Sequence, residues 1–141
     1  MSEIVGQTRQ CMSDLTEAGA GELRARFLFP AEFIGFKGHF PEKPILPAVC
    51  EIQAALAMLE AWKGRRVTLR EIILAKFSTP VTCDEEVVYL CSVTMEDGHG
   101  ALVKATVATD GGNVAGFRLR VSFEEEGRGV DAGSTKKGGI L

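Results

Sequence analysis

The sequence predicts an α+β domain in which one antiparallel sheet wraps a single long central helix. Three observations carry that prediction. Residues 47–63 contain Ala48, Val49, Cys50, Ile52, Ala54, Ala55, Leu56, Ala57, Met58 and Leu59, which leave no wide polar face. A helix that is apolar all round must be enclosed by other structure. The segments after it alternate apolar and polar residues at the strand period of two. They are separated by Glu96-Asp97-Gly98-His99-Gly100 and Asp110-Gly111-Gly112-Asn113, compositions that make tight turns between antiparallel neighbours.

Taken in order, residues 1–21 form an N-terminal segment in which Ile4, Cys11, Met12 and Leu15 have a weak helical spacing, stopped by Ala18-Gly19-Ala20-Gly21. From Glu22 to Phe29, Leu23, Ala25, Phe27 and Phe29 alternate with Glu22, Arg24 and Arg26, which predicts a half-buried strand. Pro30, Pro41 and Pro44 mark a loop from Pro30 to Leu46. Pro47 suits the first helical position, where a missing N–H costs nothing, and Gly64 is the stop. Strands follow over Val67–Val81, Glu86–Met95 and Ala101–Thr109. In a last strand Phe117, Leu119, Val121 and Phe123 alternate with Arg118, Arg120 and Ser122. The domain therefore spans residues 22–124. The stretch 125–141 is Gly-rich, polar and without periodicity, which predicts a disordered tail. One small sheet leaves part of the helix and a sheet edge uncovered, so a dimer is expected.

Composition narrows the function classes. The 141 residues suit one domain, with 45% hydrophobic and 25% charged residues. A net charge of −3 with no basic block argues against nucleic acid. Glu51, Gln53 and Glu60 interrupt the longest apolar run, which argues against a membrane span. Met1-Ser2-Glu3 lacks the basic start and apolar core of a signal peptide, so the cytoplasm is the expected compartment. The four cysteines, Cys11, Cys50, Cys83 and Cys91, form no C-x-x-C pair, and His39 and His99 are the only histidines. Neither a metal site nor a cofactor is expected. Cys50 falls in the first turn of the helix, where the dipole could lower its pKa, although a buried, inert thiol is the simpler reading.

Gly38-His39-Phe40-Pro41 followed by Pro44-Ile45-Leu46-Pro47 and the apolar helix resembles the signature of the 3-hydroxyacyl-acyl-carrier-protein dehydratases. The similarity is strongest over residues 34–59 and continues more loosely through Lys76-Phe77, Pro80-Val81 and the later strands. It implies the hot-dog fold and a homodimer or a multiple of it. It also implies removal of water from a 3-hydroxyacyl thioester, carried by acyl-carrier protein or coenzyme A, to give the trans-2-enoyl thioester. His39 matches the catalytic histidine, and a histidine titrates near working pH, as a base for the proton beside the carbonyl must. The Ile45 carbonyl matches the group that fixes the histidine tautomer. The Ala48 N–H matches a glycine N–H that faces the thioester oxygen. The resemblance places Phe40, Pro41, Pro47, Val49 and Phe77 along the substrate.

At the position of the family's acid stands Gln53. An amide can orient a water or a hydroxyl but cannot act as a general acid. Glu51 lies about 200° round the helix from it, and Glu60 shares its face but sits roughly 10 Å further along the axis. Two other readings therefore stay open beside the dehydratase: a hot-dog thioesterase, and a non-catalytic acyl-thioester-binding subunit. His39 as a helix cap and Gln53 as a buried polar residue at a subunit interface are the structural alternatives for those side chains.

Overall fold

A computed structural model describes residues 2–36 and 45–125. The elements are α1 (Ser2–Gln10), β1 (Met12–Glu17), β2 (Glu22–Leu28), a 3-10 turn (Ile34–Phe36), α2 (Ala48–Lys63), β3 (Val67–Phe77), β4 (Glu86–Met95), β5 (Gly100–Thr109) and β6 (Gly112–Phe123). Six strands form one sheet in the order β1-β2-β4-β5-β6-β3, each neighbouring pair antiparallel. The tail expected to be disordered lies, beyond Glu125, outside the described residues.

Helix α2 supplies Cys50, Ile52, Ala54, Ala55, Met58 and Leu59 to the core, where Phe27, Tyr89, Val103 and Leu119 of the sheet meet them. It ends at Gly64, whose φ of 68° is the left-handed conformation that glycine adopts without steric cost. Pro47 lies one position before the helix rather than inside it: its ψ of 149° is extended, so it is the N-cap. The strand expected to reach Val81 stops at Phe77, beyond which the Ser78 and Thr79 N–H groups both donate to the Val114 carbonyl.

The sheet has one strand more than the sequence pattern announces. Met12 and Leu15 are three residues apart, a helical spacing, yet Met12–Glu17 is the edge strand β1. The cause is a bulge between Ser13 and Thr16, where Asp14 has a φ of 57°. An extra residue there shifts the side-chain alternation by one. Gly21 closes the turn into β2 with a φ of 77°, and a Cβ added there would stand 2.5 Å from the Val93 carbonyl oxygen.

At the other sheet edge, β3 carries Ile72, Ile73 and Leu74 in solvent, with Ile72 48% and Leu74 60% exposed. An exposed apolar edge strand is a template for pairing with another chain. Light scattering is expected to give a dimer or a multiple of it. The double variant Ile72→Lys/Leu74→Lys is expected to shift the protein toward monomer without unfolding it. A wild-type monomer at micromolar concentration would contradict the expectation.

Candidate active site at the start of the central helix

The residues singled out by sequence divide into two groups. His39, Phe40 and Pro41 lie outside the described residues. Ile45, Pro47, Ala48, Val49 and Gln53 lie at the N-terminal end of α2, and Phe77 is the last residue of β3. Ile45 bridges to Thr82, and the Leu46 N–H donates to the Val81 carbonyl at 2.8 Å. The segment after β3 therefore runs beside the entry to α2 and brings the end of that strand, with Phe77, to the same end of the domain.

Helix α2 begins without a side-chain cap. The N–H groups of Cys50 and Glu51 turn back to the Pro47 carbonyl, at 2.9 and 3.2 Å. Those of Ala48 and Val49 belong to the first turn, where no carbonyl within the helix can accept them. A helix N-terminus with unclaimed donors favours negative charge at that point. One face of α2 carries Val49, Gln53, Leu56 and Glu60 at helical spacing. Its exposure falls along the helix, from 61% at Val49 through a half-buried Gln53 to 8% at Leu56. The burial comes from α1, which packs along α2 and leaves a groove of about 720 Å³ bordered by Gln53, Leu56 and Glu60. Glu60 is committed within that groove: it pairs with Arg9 at 3.1 Å and accepts the Val67 N–H at 3.0 Å. No group of three or more His, Cys, Asp or Glu side chains among the described residues could hold a metal ion. No helix among them is long and apolar enough to cross a membrane.

Residues 15–113 match the family model ApeI-like, described as ApeI dehydratase. The chain belongs to the ApeI-like dehydratase family. It is 35% identical over 83 residues to the 3-hydroxyacyl-[acyl-carrier-protein] dehydratase FabZ of Clostridium botulinum (strain Okra / Type B1), covering 54% of this chain and 58% of that protein. The corresponding enzyme of Clostridium novyi (strain NT) is 30% identical with the same coverage. The chain thus spans somewhat over half the length of these relatives. Among solved structures it resembles the dehydratase heterocomplex ApeI:P from Xenorhabdus doucetiae, with a TM-score of 0.65, 15% identity, and coverage of 79% of this chain and 96% of that one. The PaaI protein of the phenylacetic acid degradation operon in E. coli gives a TM-score of 0.60 at 12% identity, with coverage of 86% and 93%. At such identities the likeness is one of fold, and the fold is the hot-dog fold.

Beside Gln53, this ApeI-like chain carries a carboxyl whose state the sequence pattern does not convey. Glu51 is only 3% exposed, and its Oε1 has no hydrogen-bond partner among the described residues. Its backbone carbonyl accepts the buried Tyr89 hydroxyl at 2.8 Å. Burial raises its pKa from the ordinary 4.5 to about 7. Burial, and then the neighbouring Glu51, raises the Cys50 thiol. The idea that the helix dipole lowers Cys50 is thereby overturned, because desolvation and a neighbouring carboxyl both oppose the thiolate. Cys50 is a buried core thiol.

Glu51 makes stability depend on pH. Its folded pKa lies above its unfolded one, so the folded state holds a proton that the unfolded chain releases between about pH 4.5 and 7. The stability this proton contributes is complete below that window and is lost as pH rises through it. The size is about 3 kcal/mol by the shift. Glu51→Gln is expected to flatten the decline in melting temperature between pH 5 and 8, with its largest advantage over wild type on the alkaline side. Parallel melting curves for the two proteins across that range would contradict this account of the side chain.

Proposed function

We propose that the chain removes water from 3-hydroxyacyl thioesters to give trans-2-enoyl thioesters. The observation that carries this reading is the start of α2, which has no side-chain cap and carries Gln53 on its open face one turn on. The family match and the 35% identity to a curated dehydratase support the same chemistry. In this mechanism His39 takes the proton from the carbon beside the thioester carbonyl. The Ala48 N–H meets the oxyanion that develops there, where a preorganised donor stabilises charge as it forms. The C3–O bond breaks and the hydroxyl leaves as water, taking back the proton through a water held by the Gln53 amide. The thioester bond stays intact. Ile45 fixes the histidine tautomer through its carbonyl, while Phe40, Pro41, Pro47, Val49 and Phe77 border the substrate. The assembly is a homodimer or a multiple of it, working on a thioester of acyl-carrier protein or coenzyme A.

A second reading is favoured by one specific observation. Gln53 has no proton to give as an acid, and the ApeI:P structure is a dehydratase heterocomplex. A different hot-dog chain that presents an acid across the interface would complete the site, and this chain would then contribute the histidine and the oxyanion donors.

His39→Ala is expected to abolish enoyl formation and to leave thermal melting nearly unchanged. Full turnover in that variant would remove His39 from the mechanism. Gln53→Glu is expected to raise enoyl formation by about 10²-fold or more, the usual worth of general acid assistance. A carboxyl at this half-buried position has its pKa raised and stays partly protonated, as a proton donor must. No gain in a folded variant would favour the binding-subunit reading. Thiol release without enoyl formation would indicate hydrolysis.

A further inference from the structure

Gly116 lies inside β6, where a glycine weakens the strand and often marks a bulge or a place of close approach. Neither backbone nor packing asks for it. Its φ is not in the left-handed region, and a Cβ built there meets only the Ala105 carbonyl oxygen, at an ordinary 3.6 Å. The ladder is in step around it, with Gly116 opposite Thr106 on β5 and opposite Lys76 on β3.

The glycine borders a hollow of about 330 Å³ on the outer face of the sheet, a size at the lower end for small-molecule sites. Val103, Ala105, Phe117 and Leu119 turn inward to the core, so Lys104, Thr106, Gly116 and Arg118 between them turn outward. Lys76, Lys104 and Arg118 stand round the hollow, and Ser78, Thr106 and Asn113 add neutral hydrogen-bonding groups. No acid is among the residues that border it. Lys104 and Arg118 are direct cross-strand partners. Their Cβ atoms are therefore about 5 Å apart, and like charges so placed destabilise a sheet. Lys76 lies diagonally to Arg118, about 7–8 Å from it. None of the three cations forms an ion pair among the described residues. Glu71 and Glu96 are engaged by Arg120, the next outward position along β6. Opposed cations and a strand glycine each weaken the sheet, and both occur at this one hollow, in a chain whose net charge is −3.

We propose that the hollow binds a phosphate monoester, with the phosphate between Lys76, Lys104 and Arg118 and Gly116 leaving room for it against the sheet. A phosphate monoester carries nearly two negative charges at neutral pH on one compact group. That matches cations converging on a concave space better than single carboxylates spread over a protein surface. Arginine meets phosphate through paired, charge-assisted hydrogen bonds, and lysine supplies a point charge. The hollow is on the face of the sheet opposite α2, so the assignment does not rest on the dehydratase reading. A free phosphate ester and the headgroup of an acidic lipid both present this chemistry.

Titration calorimetry with glycerol 3-phosphate, with glycerol as the control lacking phosphate, tests the assignment. Wild type is expected to bind the phosphate ester saturably and to ignore glycerol. The double variant Lys104→Gln/Arg118→Gln is expected to weaken binding about tenfold or more, the worth of a lost charged hydrogen bond. Its melting temperature is expected to be equal or higher, because the opposed charges are gone. Gly116→Val is expected to weaken binding likewise with no loss of stability, since valine is the better strand residue. Flotation with phosphatidic acid vesicles, against phosphatidylcholine alone, separates the two sources. Flotation that the double variant loses identifies a lipid headgroup, and calorimetric binding without flotation identifies a free ester. Absence of binding to both phosphate probes overturns the proposal, as does unchanged affinity in the double variant or in Gly116→Val. Polyglutamate bound through Lys104 and Arg118 as tightly as glycerol 3-phosphate also overturns it, and would make the hollow a face for acidic proteins.

Discussion

Enclosure of α2 is the constraint on which the rest of the structure depends. The helix is apolar around almost its whole circumference, so water must be kept from all of it except where function requires access. The sheet covers one side through Phe27, Tyr89, Val103 and Leu119. Helix α1 covers part of the other, held by the Arg9–Glu60 pair and by the Ile34 N–H that donates to the Gln7 side chain at 2.9 Å. What remains uncovered is the first turn of α2, with Val49 in solvent and Gln53 at the margin. The same enclosure creates the chemical asymmetry of that turn. Cys50 and Glu51 face inward with raised pKa values, whereas Ala48 and Val49 are exposed on the open side.

Most of the architecture was legible because the signals are strong and local. The boundaries of α2 follow from Pro47 and Gly64, residues with one conformational use each at those positions. Strand β4 begins and ends where its alternation does. Strand β1 was not legible, because a bulge at Asp14 converts strand alternation into a spacing of three, which is also the helical one. The end of β3 was overextended because β-branched and apolar composition continues past the point where pairing with β6 stops at Phe77.

The site was legible in part, for a different reason. A motif such as Gly38-His39-Phe40-Pro41 identifies residue types, and the helix period places Val49, Gln53 and Glu60 on one face. Neither states what else packs there. The engagement of Glu60 with Arg9 and Val67 depends on α1 and on the start of β3, distant in sequence from Gln53. The burial of the Glu51 carboxyl depends on the whole core around it.

The account's central claim is that this chain acts on a 3-hydroxyacyl thioester and preserves the thioester bond. The most direct measurement incubates the purified wild-type protein with a panel of 3-hydroxyacyl thioesters of both carriers, following enoyl absorbance and free thiol separately. The account predicts a rise in enoyl absorbance with no release of thiol. Thiol release without enoyl product, or no change in either signal across the panel, would contradict it.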